Sequence, residues 1–482
     1  MCQWNLLESL LGNEVRMLVG GLAVLILLLS LVPAVAQDYI DLSQAISLAL
    51  SQNKDLIRSV LSVDAGELRQ ADASAEFNTN IRPDAMTSFS QGQNLLRYGP
   101  RVSKKLEWGT LLNVSSGVVS DLTQGTNRVS VRFEIEQPIF RNFGSAIHRE
   151  GILQANSAKQ AARRKYELRK ADIVLDVVKT YETILRLTQQ VKADQESATR
   201  NNALYRVTKA KEGVGKTSRV DTLRVELLLG QAKLRLEASR ERLGWAQRDF
   251  AELLGFPQGT VFEVRPAPVL ELKIEDPARA IQVALANRLD YAQALQDQDD
   301  AARAVTIAEK KLMPDVRVVA SYDDFASSPT AYGSIPLARQ LWYFGLSSPT
   351  DYNFARERIG VEQAKVAQRT AFQTIDILSN SIAREVPQQL QAYRRAQAEL
   401  TFAEQNFKLA QARAKLAKQR FALGRGDNFA VTDAEVAFLT AESALLSAQA
   451  DASIGSYQLT RTLGTILEAP EDLKPPQFAR AP

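Results

Sequence analysis

The sequence predicts a mainly α fold with a small membrane β part: long coiled-coil helical hairpins, and a few strands that one chain cannot close into a barrel. Three observations predict it. The chain is written twice, it contains two very long stretches of heptad-spaced helix formers, and its strands pair an apolar face with a charged one. The first copy opens on Ala45-Ile46 to Asn53 and Asp55-Leu56, the second on Ala280-Ile281 to Asn287 and Asp290-Tyr291. Each then has a Pro-Asp step (Pro83-Asp84, Pro314-Asp315), a Pro followed by Asn-Phe (Pro138 with Asn142-Phe143, Pro349 with Asn353-Phe354) and a closing Leu-Gly (Leu254-Gly255, Leu463-Gly464). So long a repeat is a duplicated half-protein rather than a solenoid unit.

The N-terminus reads as an export signal. Arg16 precedes an apolar run from Met17 to Pro33, and Ala34-Val35-Ala36 fits a small-x-small cleavage site that leaves Gln37 first. Met1 and Met17 are both candidate starts. The only cysteine, Cys2, lies in the discarded part, so the exported chain is expected to form no disulfide. Residues 37–260 are expected to form the first repeat, 261–465 the second and 466–482 a Pro-containing tail. A net charge of +4 with no basic block does not imply nucleic acid. Beyond the signal no apolar run is long enough to span a bilayer as a helix, so any span must be made by strands.

The helices follow. Asp41 with Gln44 forms a capping-box pattern, and Asp276-Pro277 places a cap and then proline at the first helical position. Residues 144–212 and 353–422 would each reach roughly 100 Å as helices. Val174, Val177, Tyr181, Ile184 and Thr188 step by three and four, as do Phe407, Ala410, Ala414, Ala417 and Phe421, and then Ala434, Ala437, Ala441, Ala444 and Ala448. That is coiled-coil seam spacing, which a helical-bundle core would share. Pro387 is expected to kink its helix. Gly213 to Gly215 and Gly424 to Gly426 break the helices, so each copy folds into an antiparallel hairpin.

The strands are expected at about 85–92, 102–121 and 127–140, and again within about 315–347. Val129, Val131, Phe133 and Ile135 alternate with Ser130, Arg132, Glu134 and Glu136. Together with the export signal, this favours a barrel wall with lipid outside and water inside over a small soluble sheet. So few strands require a barrel shared among copies.

The paired Ala-x-x-x-Ala-Leu openings, the Gln137-Pro138-Ile139-Phe140 step, the Gly-to-Asp hairpin tips and the Leu-Gly closings resemble the TolC-type outer-membrane efflux proteins (the outer membrane factor family), over about residues 38–465. The resemblance implies a homotrimer. Each chain would give four strands to a twelve-stranded β-barrel in outer-membrane lipid and its helices to a periplasmic α-barrel. A periplasmic adaptor (membrane fusion) protein and an inner-membrane pump would dock at the far end, making the protein a passive exit duct for efflux or type I secretion. The first β region is longer than two strands require, which leaves the strand count open.

The same resemblance implies that Val214, Gly215, Lys216, Leu423 and Gly424 turn at the periplasmic end and meet the adaptor. It aligns Asp221 and Asp433 with a pore constriction, where three copies would form carboxylate rings that favour cations. Either Asp could instead cap a helix or face solvent. Phe421 stands where the family gate has a tyrosine, so Arg425 and Asp427 are the candidates to hold the mouth. Catalysis finds little support: His148 is the only histidine, and Gly213-Val-Gly-Lys-Thr217 lacks the first glycine of a phosphate loop. No cofactor or metal site is expected. The alternative reading is a soluble periplasmic coiled-coil scaffold.

Overall fold

The computed structural model describes residues 39–90, 93–123, 125–215, 217–257, 259–266, 270, 272, 276–328, 339–349, 353–423 and 428–476. The export signal and the tip residues Lys216, Gly424, Arg425 and Asp427 lie outside them.

Two sets of helices flank one sheet. The first set is α1 (Leu42–Gln52), α2 (Lys54–Ala75), the short α3 (Ser145–His148), α4 (Glu150–Gly213) and α5 (Arg219–Leu253). The second set is α6 (Pro277–Asn287), α7 (Leu289–Lys310), α8 (Ala355–Ala422) and α9 (Asn428–Leu463). Local chemistry fixes the starts. Gln44 Oε1 accepts the Asp41 N–H at 3.2 Å, and Asp276 accepts the Ala278 N–H at 2.9 Å with Pro277 behind it. Asn53 caps α2 by accepting from Asp55 and Leu56, while its Nδ2 donates to the Leu253 carbonyl at 2.9 Å. That bond ties the opening of the first copy to its close. α8 runs on through Pro387, which has no N–H to give the turn behind it.

The two copies use matching devices. Ile40, Val177, Tyr181, Ile184, Phe250 and Leu254 form one fully buried core, and Ala284, Ile382, Val386, Leu390, Leu459 and Leu463 the other. In the first, the Tyr181 hydroxyl lies 2.6 Å from the Arg265 carbonyl and 3.0 Å from that of Ile40. In the second, the Tyr393 hydroxyl accepts the Leu272 N–H at 3.1 Å. Each tyrosine pins the extended segment that passes it, because a buried hydroxyl without a partner is costly. Of the seam positions predicted for α4, α8 and α9, Val174, Val177, Tyr181, Ile184, Ala410, Ala414, Ala434 and Ala441 are buried, Phe407, Ala417, Phe421, Ala437 and Ala448 are half-buried, and Thr188 and Ala444 are exposed, so each seam holds over part of its predicted length.

The sheet departs from expectation. It has six strands in sequential antiparallel order: β1 (Asn80–Ser90), β2 (Gln93–Lys105), β3 (Leu111–Asp121), β4 (Thr126–Pro138), β5 (Arg317–Ser328) and β6 (Arg339–Ser347). The resemblance implied four. The expected single stretch 102–121 is broken by a turn at 106–110, where Gly109 takes φ +96 and the Leu106 N–H reaches the Thr110 carbonyl at 2.8 Å. Trp108, read as a strand residue, sits in that turn. Residues 93–101 of β2 fall between the two expected stretches, because Gly99-Pro100 interrupts the alternation there.

Candidate functional site

The sheet is amphipathic over β1 to β5, although Lys104 and Asp324 fall on the apolar face, and β6 is apolar on both faces, with Leu341 and Tyr343 opposite Trp342 and Phe344. Strand register puts Ile81, Phe89, Tyr98, Val102, Val114, Val118, Val131, Phe133, Ile135, Val318, Tyr322, Trp342, Phe344 and Leu346 on one face. Most of the large side chains on this face are exposed. Phe133, Tyr322, Trp342 and Phe344 make a row of ring contacts, with centroids 6.3, 4.5 and 6.5 Å apart. An exposed apolar face with an aromatic row suits lipid. The opposite face carries Arg82, Asp84, Arg97, Arg101, Arg128, Arg132, Glu134 and Asp323. Arg101 pairs with Asp84 at 2.8 Å and Arg132 pairs with Asp323. This face borders an open hollow of about 400 Å³ lined by residues of every strand, from Asp84 on β1 to Leu341 on β6, so the sheet curls with its charged side inward. Among the described residues no helix is long and apolar enough to cross a membrane.

Away from the sheet the long helices lie side by side in the order α5, α4, α9, α8. The seam between α4 and α9 joins the two hairpins. Ser453 donates to Glu182 at 2.6 Å across it. Burial pushes the Glu182 carboxyl above its usual range, and the Ser453 hydrogen bond pulls the other way. The native chain therefore holds that proton more tightly than the unfolded chain, and its stability falls as pH rises through the raised value. Replacing Glu182 with Gln removes the cost of the buried charge. The expected result is a higher thermal midpoint at neutral pH and no gain at pH values below the ordinary carboxyl range, read by thermal melts across pH.

At the tips, α4 ends on Gly213, and Gly215 turns the chain with φ +72. Ser218 caps α5. Its hydroxyl accepts the Asp221 N–H at 3.2 Å and donates to Asp221 Oδ2 at 2.7 Å, so Asp221 belongs to the cap. Asp433 pairs with Arg413, within the second hairpin. Val214 and Leu423 stand exposed at the two tips. His148 is half-buried, and its Nε2 lies 2.7 Å from the Asn142 carbonyl.

The structure adds contacts that the sequence did not suggest. The Lys211 ammonium lies 4.1 Å from the Phe421 ring, Arg224 lies 5.7 Å from Phe429 and Arg200 lies 5.8 Å from Phe438. In each, the cation comes from the first hairpin and the ring from the second. Arg200 also pairs with buried Glu435, which Lys418 reaches at 2.7 Å. Such pairs have no spacing signature, because their partners lie far apart in sequence.

The chain is similar to known proteins in part of its sequence and in its fold. Residues 280–465 match the model of the outer membrane efflux protein family. Over 181 residues the chain is 23% identical to Nodulation protein T of Rhizobium leguminosarum bv. trifolii, a match covering 36% of this chain and only 38% of that relative. The fold is similar to that of the Campylobacter jejuni CmeC outer membrane channel, with a TM-score of 0.69, 14% identity and coverage of 89% of this chain and 86% of that one. It is also similar to the Vibrio cholerae outer membrane protein VceC, with a TM-score of 0.67, 16% identity and coverage of 88% and 96%. The open Neisseria gonorrhoeae MtrE outer membrane channel gives a TM-score of 0.66, 17% identity and coverage of 88% and 89%. The resemblance read from the sequence is thus borne out: residues 280–465 match the outer membrane efflux protein family, and the fold over nearly the whole chain is similar to that of these outer-membrane channels.

Proposed function

We propose that this protein is the outer-membrane exit duct of a tripartite efflux or type I secretion system. It works as a homotrimer, and an inner-membrane pump drives its cargo through a periplasmic adaptor. The observation that carries this reading is that the chain is an unfinished wall. In the α5–α4–α9–α8 row, both outer helices keep exposed apolar stripes: Val220, Leu223, Leu227 and Leu234 on α5, and Phe402, Leu409 and Leu416 on α8, continued by Leu423 just past its end. Sevenfold spacing on an exposed face is the mark of a helix that still needs a partner, and a second copy supplies one by setting its α5 against α8. The sheet, with its lipid-suited face, speaks against a soluble scaffold. The test is the protein mass in detergent-extracted outer membranes, corrected for bound detergent, followed by bilayer conductance. Three chains and a conducting pore are expected, and a soluble monomer in the periplasmic fraction would sink the reading.

The tips would form the mouth. Val214, Gly215, Lys216, Leu423 and Gly424 would face the adaptor, and Asp221 and Asp433 would ring the pore, with Arg425 and Asp427 nearby. The Arg413 partner of Asp433 would mute its ring, and the Ser218 cap would orient that of Asp221. Asp433→Asn is expected to lower cation selectivity and cation block in bilayers, and unchanged values for both would remove the ring from the account. Glu435, held by Arg200 and Lys418, would keep the two hairpins together. Glu435→Gln keeps the shape but removes the charge. It is expected to raise the open probability of the channel at least several-fold, since a buried ion pair is worth about 2–3 kcal/mol when one partner is lost. Wild-type open probability in this variant would assign closure to other contacts.

A further inference from the structure

We infer that β6 of one copy pairs with β1 of the next, so that three chains close an eighteen-stranded barrel rather than a twelve-stranded one. The inference rests on the trimeric reading above and adds to it the number of strands and the edges that meet.

Four observations carry it. The strands form one uninterrupted antiparallel sheet in the order β1 to β6, so β1 and β6 are its two open edges. Every neighbouring pair is antiparallel. With six strands, β6 runs opposite to β1, and head-to-tail joining of copies keeps the whole ring antiparallel. Strands β1 and β2, the hairpin beyond the expected four, have the same two faces as the others. Ile81, Phe89, Tyr98 and Val102 continue the apolar face, and Arg82, Asp84, Arg97 and Arg101 continue the charged one. Finally, the hollow on the charged side is lined from β1 through β6, so the first hairpin belongs to the same curved wall.

The alternative is a twelve-stranded ring closed by β3 and β6, with the β1–β2 hairpin outside it. That arrangement must tear β2 from β3, whose ladder runs from Leu95 opposite Asp121 to Lys105 opposite Leu111. It would strip those backbone groups of their partners and leave an amphipathic hairpin with nowhere to bury its apolar face. In hydrocarbon each unpaired backbone group costs several kcal/mol, so the open edges of a six-stranded sheet must meet another sheet. A second copy of this chain offers the complementary edge. Eighteen strands at a spacing of ~4.8 Å and a tilt of ~40° make a wall about 36 Å across, against about 24 Å for twelve, wide enough for an aqueous lumen above the helical tube.

Cysteine pairs in the full-length trimer, with Cys2 replaced by Ser, test this. Val102 and Val114 are register partners on the apolar face of β2 and β3. Oxidation of a Val102→Cys/Val114→Cys chain should lock these strands and leave trimer yield and conductance unchanged. Loss of trimer on oxidation, restored by reduction, would show that the hairpin must leave the wall and would overturn the inference. Trp342→Cys on β6 should form inter-chain disulfides with cysteines scanned over 81–89 of β1 and none with cysteines over 112–118 of β3. The reverse pattern in a three-chain particle would overturn the edge pairing and leave the trimer standing. β6–β1 cross-links in a particle of another mass would overturn the trimer and the strand total together, while keeping the edge contact. A density map in lipid nanodiscs counts the strands directly.

Discussion

A chain carrying Leu409→Glu and Leu416→Glu is expected to fold its hairpins and fail to assemble. Both leucines lie on the outer stripe of α8, away from the buried Ala410 and Ala414 that pack against α9. In the isolated chain the new carboxylates would meet water and cost little. At a seam between copies, each would be buried among the leucines and valines of α5 from the next copy, and an unpaired buried charge costs several kcal/mol. The penalty recurs at every seam of a closed ring. The expected outcome is normal helical circular dichroism, particles of one-chain mass and loss of transport in cells. Leu409→Met with Leu416→Met should assemble normally. A double-Glu chain that still gave full-size particles would place the seam elsewhere and remove the main support for the tube.

Gly255→Ala should be the most damaging single methyl in the helical part. Gly255 has φ +83, and a Cβ there would lie 2.5 Å from the Gln52 carbonyl oxygen. An L-residue in this region costs about 1–2 kcal/mol from backbone conformation alone, before the collision is counted. Gln52 ends α1, and Asn53 beside it holds the Leu253 carbonyl, so the backbone there has little freedom to retreat. The collision should bring the total to about 3–4 kcal/mol, enough to lower expression and the thermal midpoint markedly. Gly464 is its counterpart, with φ +73, but its Cβ would approach Asn287 only to 3.0 Å. Gly464→Ala should therefore cost less, and the order of the two melting temperatures checks the argument. Equal midpoints would mean that the contact at Gly255 relaxes freely.

Much of this protein was legible in its sequence because the signals were local and periodic. Caps at Asp41 and Asp276, heptads in α4, α8 and α9, and alternation in β4 are short-range patterns; the structure keeps the caps and the alternation, and buries the heptad seams over part of their length. The Leu-Gly closings were visible too, although their reason was not: each glycine turns a helix end against the opening of its own copy. The outer stripe of α8 was equally readable, since Phe402, Leu409, Leu416 and Leu423 recur every seven residues. The neighbouring seam through Phe407 to Phe421 is richer in small residues and has the same three-and-four spacing.

Other features were decided only in three dimensions. The sequence by itself determined the class: a duplicated, mainly helical chain with an amphipathic sheet and the mark of the outer-membrane channels. Tertiary structure decided that the sheet has six strands, because Gly99-Pro100 hides the alternation of β2 and the Gly109 turn is a property of backbone conformation. It also decided what the tip side chains do. Asp221 in a cap, Asp433 on Arg413, and Lys211 over Phe421 are pairings between groups whose separation in sequence carries no periodic signal. Packing brings them together after the helices have formed, and only then does each charge acquire its partner.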